Sequence, residues 1–71
     1  MTTDRMVHMA NQIAAFFRSY PHETAVEGVA NHIRQFWARP MREQLLAHID
    51  AGGQGLDGLV VEAAQRLRVP A

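Results

Sequence analysis

Four histidines, at positions 8, 22, 32 and 48, are the side chains in this sequence best suited to move a proton or bind a metal near neutral pH. Their spacing works against both roles. No two stand three or four residues apart, the offset that puts two ligands on one helix face, and there is no His-Glu-x-x-His run. Cysteine is absent, which removes thiolate metal sites, thiol catalysis and disulfides together. Ser19, the single serine, sits between Arg18 and Tyr20 without the glycines of a nucleophile elbow. The glycine-rich run from Ala51 to Gly58 lacks the Gly-Lys-Ser/Thr ending of a phosphate loop, and no strand precedes it. With no nucleophile and base to pair, the expectation is a chain with no catalytic, cofactor-binding or metal-binding residues of its own.

What remains is the chemistry of recognition, concentrated between Asn31 and Gln44. That stretch holds the only tryptophan, Trp37, three of the seven arginines, Arg34, Arg39 and Arg42, and a backbone break at Pro40. Tryptophan and arginine are the residue types most enriched at interface hot spots, and arginine makes bidentate, desolvated contacts that lysine does not. Further up the chain, three aromatics and two methionines crowd one helix face, more bulk than a single short neighbour covers. The candidate partner-binding residues are Phe16, Phe17, Arg34, Trp37, Arg39, Met41 and Arg42. Ile33 and Phe36 are expected to hold the helices together. The rival reading is a small helix-turn-helix DNA-binding regulator, with Arg34, Arg39 and Arg42 on phosphates. Glu43, Asp50 and Glu62 dilute any basic face, and seven arginines against seven acids give a net charge of zero. Attraction of the whole chain to nucleic acid or to an anionic membrane is therefore not expected.

Four elements must position these residues. Met6, Met9, Ala10, Ile13, Phe16, Phe17 and Tyr20 recur at three and four, predicting a helix over about 4–20 capped by Thr3 or Asp4. Pro21 ends it, since proline pushes the preceding residue away from helical angles. Val26, Val29, Ala30, Ile33, Phe36 and Trp37 predict a second helix over about 23–37, with Gly28 inside it either for close approach or merely tolerated. Pro40 suits the first turn of a third helix over about 40–51, with Met41, Leu45, Leu46 and Ile49 on its apolar side. Gly52 and Gly53 stop it, and residues 51–58 are expected to be the most flexible stretch, a hinge. Asp57 then caps a final helix over about 58–67, and Val69-Pro70-Ala71 is expected to fray. No period-two alternation is long enough for a strand. The expected fold is all-α: a small single-domain bundle of four helices, the first two forming a long antiparallel hairpin because their connection is short.

A chain of 71 residues buries only about 60% of its unfolded surface, so its core alone is marginal. Without disulfides or metal, a partner subunit is the usual remedy, and a self-contained homodimer is one form of it. No apolar run approaches the ~20 residues that span a bilayer, and the N-terminus has no secretory pattern, so the expected location is the cytoplasm.

The residues also carry a likeness. Met9-Ala-Asn-Gln-Ile13 with Phe16-Phe17, then Ala30-Asn-His-Ile-Arg-Gln-Phe-Trp37, Met41-Arg42, Leu45-Leu46, Gly52-Gly53-Gln-Gly-Leu56-Asp-Gly-Leu59-Val60 and Ala63-Ala64 resemble, in order, the small delta subunit of NAD-dependent, molybdenum-containing formate dehydrogenases. The likeness covers nearly the whole chain. One departure is visible: the family looks like Phe-Trp-x-Pro-Arg-Met-Arg, and here proline and arginine are exchanged in Ala38-Arg39-Pro40-Met41. The resemblance implies a noncatalytic cytoplasmic subunit that binds the alpha subunit and supports assembly, cofactor loading or stability of the complex. It also implies that the molybdenum cofactor, iron–sulfur clusters, FMN and NAD belong to partner subunits and none to this chain.

Overall fold

The computed structural model describes residues 1–68. It contains four helices and, among the described residues, no strand: α1 (Thr3–Phe17), α2 (His22–Phe36), α3 (Arg39–Asp50) and α4 (Gly58–Leu67). The body measures 30 × 26 × 21 Å.

Local chemistry sets the ends of these helices. The cap of α1 is Thr2 rather than Thr3 or Asp4: its hydroxyl accepts from the Arg5 backbone N–H at 3.2 Å, and Asp4 falls in the first turn, where the positive end of the dipole favours it. The helix stops at Phe17, short of Tyr20. Pro21 forbids helical angles at Tyr20, and the chain closes instead with tight turns, Arg18 N–H to Ala15 carbonyl and Tyr20 N–H to Phe17 carbonyl. Pro21 itself is the extended residue before α2, and α3 begins one residue ahead of Pro40 with Ala38 as its cap. Asp57 caps α4 as its sequence position suggests, accepting from Leu59 N–H at 2.9 Å.

The core gathers a stripe from each helix: Met6, Ala10 and Ala14 from α1; Val26, Val29, Ala30 and Ile33 from α2; Leu45 from α3; Val60, Ala63 and Ala64 from α4. Alanines on facing helices bring backbones close, and α2 against α4 is the most extensive helix pairing. Each fully buried Val, Leu, Ile or Met contributes about 1.5–3 kcal/mol over an exposed one. In α1 the buried stripe is narrower than the apolar periodicity suggests. It follows Met6, Ala10 and Ala14, with Met9, Ile13 and Phe17 packed at its edge, and leaves Phe16 and Tyr20 outside.

The loop from Ala51 to Asp57 is not the loose hinge its three glycines suggest. Gly52 and Gly53 adopt positive φ, and their N–H groups bond Ile49 and His48 carbonyls at 3.0 and 2.9 Å, satisfying the end of α3. Asn11 of α1 then holds the far side of the loop. Its amide donates to Gly55 carbonyl and its oxygen accepts from Asp57 N–H, both at 2.9 Å. His48 Nε2 lies 2.8 Å from Gln54 carbonyl, and Leu56 packs against the core. The expected fraying of residues 69–71 lies outside the described residues.

Candidate interaction surface

Phe36 and Trp37 are adjacent in sequence and opposite in fate. Trp37, the expected partner-facing ring, is a core residue at 6% exposure, whereas Phe36, the expected core residue, is 71% exposed. At 100° per residue both fall within the buried arc of α2, about equally far from its centre, so the helical period does not choose between them. Packing does: the Trp37 indole joins the core cluster where α2 ends, and Phe36 stacks on His32 outside it.

Phe36 lies on the same face as a second exposed group. Phe16 is 68% exposed and Tyr20 46%, and with Phe17 they form a ring cluster. Phe16 meets Phe17 edge-on at a centroid distance of 5.0 Å, and Tyr20 tilts against Phe17 at 5.6 Å. His32, one helical turn before Phe36, stacks on it at 4.8 Å and also lines a shallow groove with Ile13, Phe16 and Phe17. The result is a continuous aromatic face across α1 and α2. Gly28 is what lets the two helices meet there: a Cβ at that position would overlap the Phe17 ring. Of the two readings of Gly28, close approach is the one the packing supports.

The arginine candidates are not on this face. Arg34 bonds Asn31 Oδ1 at 2.7 Å and reaches Arg66 carbonyl at 3.4 Å on α4. Arg42 donates to Arg34 carbonyl at 3.0 Å, satisfying one of the carbonyls left open at the end of α2 and tying α3 to it. Arg39 is exposed and pairs with Glu43 one turn on. Met41 is half-buried against the core. Of the seven candidates, only Phe16 and Phe17 belong to the aromatic face. Ile13, Tyr20, His32 and Phe36 complete it. The i, i+4 spacing of His32 and Phe36 was the available sequence signal.

Ion pairs border this face and continue along α2 and α4, with Arg18, His22, Asp57 and Glu62 lining a pocket beside Tyr20. Arg66 of α4 pairs with both Glu23 and Glu27 of α2, and Glu23 foremost holds its guanidinium pKa above the usual value. His22 meets Glu62 at 2.8 Å, and Arg68 meets Asp50 at 2.7 Å. Arg18 pairs with Asp57, whose carboxyl is held below the ordinary aspartate range first by the Leu59 backbone N–H, against the opposing effect of burial, and further by Arg18. With Arg18, Arg39, Arg66 and Arg68 paired to acids and Arg34 and Arg42 bonded to backbone carbonyls, no basic face for phosphates is assembled from these six residues. Among the described residues no three of His, Asp and Glu come together in a way that could hold a metal ion, and no helix is long and apolar enough to cross a membrane.

A family model described as NADH-dependent formate dehydrogenase delta subunit FdsD matches residues 5–64. The chain belongs to that family. No curated protein and no solved structure matches it. The matched region of this delta-subunit family member takes in α2 and α3 whole, most of α1 and the first turns of α4, and so the entire aromatic face. Two segments of the likeness that are far apart in sequence meet in space: Asn11 from the first holds Gly55 and Asp57 of the glycine run. The exchanged pair Arg39-Pro40 sits in the first turn of α3, a position that accepts proline because its missing N–H would be unsatisfied there anyway.

Proposed function

We infer that this chain is a noncatalytic accessory subunit of a cytoplasmic NAD-dependent formate dehydrogenase. It binds the molybdenum-containing alpha subunit and supports assembly, cofactor loading or stability of the complex. Family membership over residues 5–64 is the observation that carries this reading. Two physical points support it. The sequence offers no nucleophile–base pair and no thiolate, so its contribution is one of contact rather than of chemistry. A face of exposed aromatic rings is costly in water unless another surface covers it.

In this reading the molybdenum cofactor, iron–sulfur clusters, FMN and NAD reside on partner subunits. A cysteine-free chain has no thiolate for an iron–sulfur cluster. The reading also takes α1 and α2 as an antiparallel hairpin, the arrangement their short connection favours, so that both helices present one surface.

The test is co-purification of the untagged chain with a tagged formate dehydrogenase alpha subunit, with cofactor content of the alpha subunit measured in the presence and absence of the chain. Retention on the tagged subunit is the expected result. Absence of association in both the cofactor-free and the cofactor-loaded alpha subunit would sink the reading.

A further inference from the structure

We propose that the aromatic face is the docking site on this chain, and that its occupant is an uncharged amphipathic helix of the alpha subunit lying in the groove between α1 and α2. The inference rests on the accessory-subunit reading and adds where and by what chemistry the contact is made.

The character of the face narrows the occupant. Ile13, Phe16, Phe17, Tyr20, His32 and Phe36 carry no formal charge with histidine neutral, while the acids of α2 turn away to Arg66. A phosphorylated or acidic segment would need clustered arginine at the contact, and Arg34 and Arg42 are bonded to this chain's own groups. An anionic lipid surface would likewise need cations beside the rings. An extended peptide would need a free sheet edge, and the described residues contain no strand. What the face does offer is a groove between two helices with aromatic walls, the setting in which a third helix packs its apolar residues at three- and four-residue spacing.

Area argues against a second copy of the chain as the occupant. At roughly 200 Å² for a whole aromatic side chain, the exposed parts of Phe16, Tyr20 and Phe36 amount to about 400 Å². Two such faces together give about 800 Å², the scale of crystal-packing contacts and below the ~1,200 Å² at which specific interfaces begin. A larger subunit can cover the rings and engage the rim around them.

The experiment compares binding of the full chain and three variants to tagged alpha subunit. Phe16→Glu and Phe36→Glu change exposed residues and are expected to keep the helical circular dichroism and melting of the parent. Each is expected to weaken binding at least 30-fold, and the pair to abolish it. Arg39→Ala, a change off the face, is expected to bind within twofold of the parent. A photo-crosslinking amino acid at position 36 is expected to label alpha-subunit residues three or four apart within one helix. If the parent binds and the Phe16→Glu/Phe36→Glu chain binds equally well, the docking site is wrong and the accessory-subunit reading stands. If the parent itself does not bind, that reading falls and takes the docking site with it. Sedimentation supplies the last arm: a monomer at micromolar concentration supports a foreign occupant, whereas a dimer dispersed by Phe36→Glu would make the second copy the occupant and overturn the proposal.

Discussion

The two outer sides of α2 solve the same problem in opposite ways. Toward α4, small and branched residues interlock and the seam is edged with ion pairs, Arg66 with Glu23 and Glu27 and His22 with Glu62. Toward the groove with α1, the rings of Phe16, Tyr20 and Phe36 stand exposed to water. One side is finished within the chain and the other is not. If the docking proposal holds, the difference separates residues that stabilise the isolated fold from those that act in a complex, and it can be tested by mutation.

The largest effect is expected on the finished side. Ile33→Ala removes a fully buried side chain from the centre of the core and should cost about 2–5 kcal/mol in urea unfolding, enough to leave a small domain largely unfolded. Gly28→Ala tests the boundary between the two sides. It forces a methyl into the Phe17 ring and should cost about 1–3 kcal/mol, less if the ring swings out, in which case near-ultraviolet circular dichroism should change too. Asp57→Ala removes the α4 cap and the Arg18 partner, and should cost about 1 kcal/mol near neutral pH. Because its folded-state pKa is lowered, the Asp57 contribution is complete above the ordinary aspartate value, about 3.9, and is lost as pH falls through the lowered one. The stability difference between parent and Asp57→Ala should therefore be constant above about pH 5 and shrink in acid. The smallest effect belongs to the unfinished side: Phe36→Ala should change the unfolding free energy by less than about 0.5 kcal/mol. A cost of 2 kcal/mol there would mean the ring is part of the core, and the contrast between the two sides would fail.

The four helices were legible from the sequence because their signals are local. Apolar residues recur at helical spacing, Pro21 and the Gly52-Gly53 pair interrupt them, and Asp57 sits where a cap belongs. The aromatic face was half legible. Bulk alone points to Phe16 and Phe17, which lie on it, whereas Phe36, expected in the core, is exposed and Trp37, whose orientation the sequence leaves open, is buried. Both fall within the buried arc of α2, so their fates depend on how the other helices pack, which no side-chain period encodes. The bonds of Arg34 and Arg42 within the chain are hidden from the sequence for a related reason. A guanidinium in a sequence suggests a carboxylate or phosphate, whereas Arg42 is used on a carbonyl at a helix terminus, a partner that exists only once the helix has ended. The loop misled in the same way: glycine content indicates freedom, but Asn11, 44 residues from Gly55, removes it.

The seating of Phe17 against Gly28 also bears on the entropy of association. Ordering a rotamer-rich side chain at an interface costs about 0.5–1.5 kcal/mol. Phe17 is already fixed by the glycine beneath it, and it supports Phe16 on its edge and Tyr20 on its flank before anything binds. A partner thus meets rings whose conformations are largely chosen. Under the docking proposal, Gly28 would set part of the affinity by keeping that surface in its binding shape.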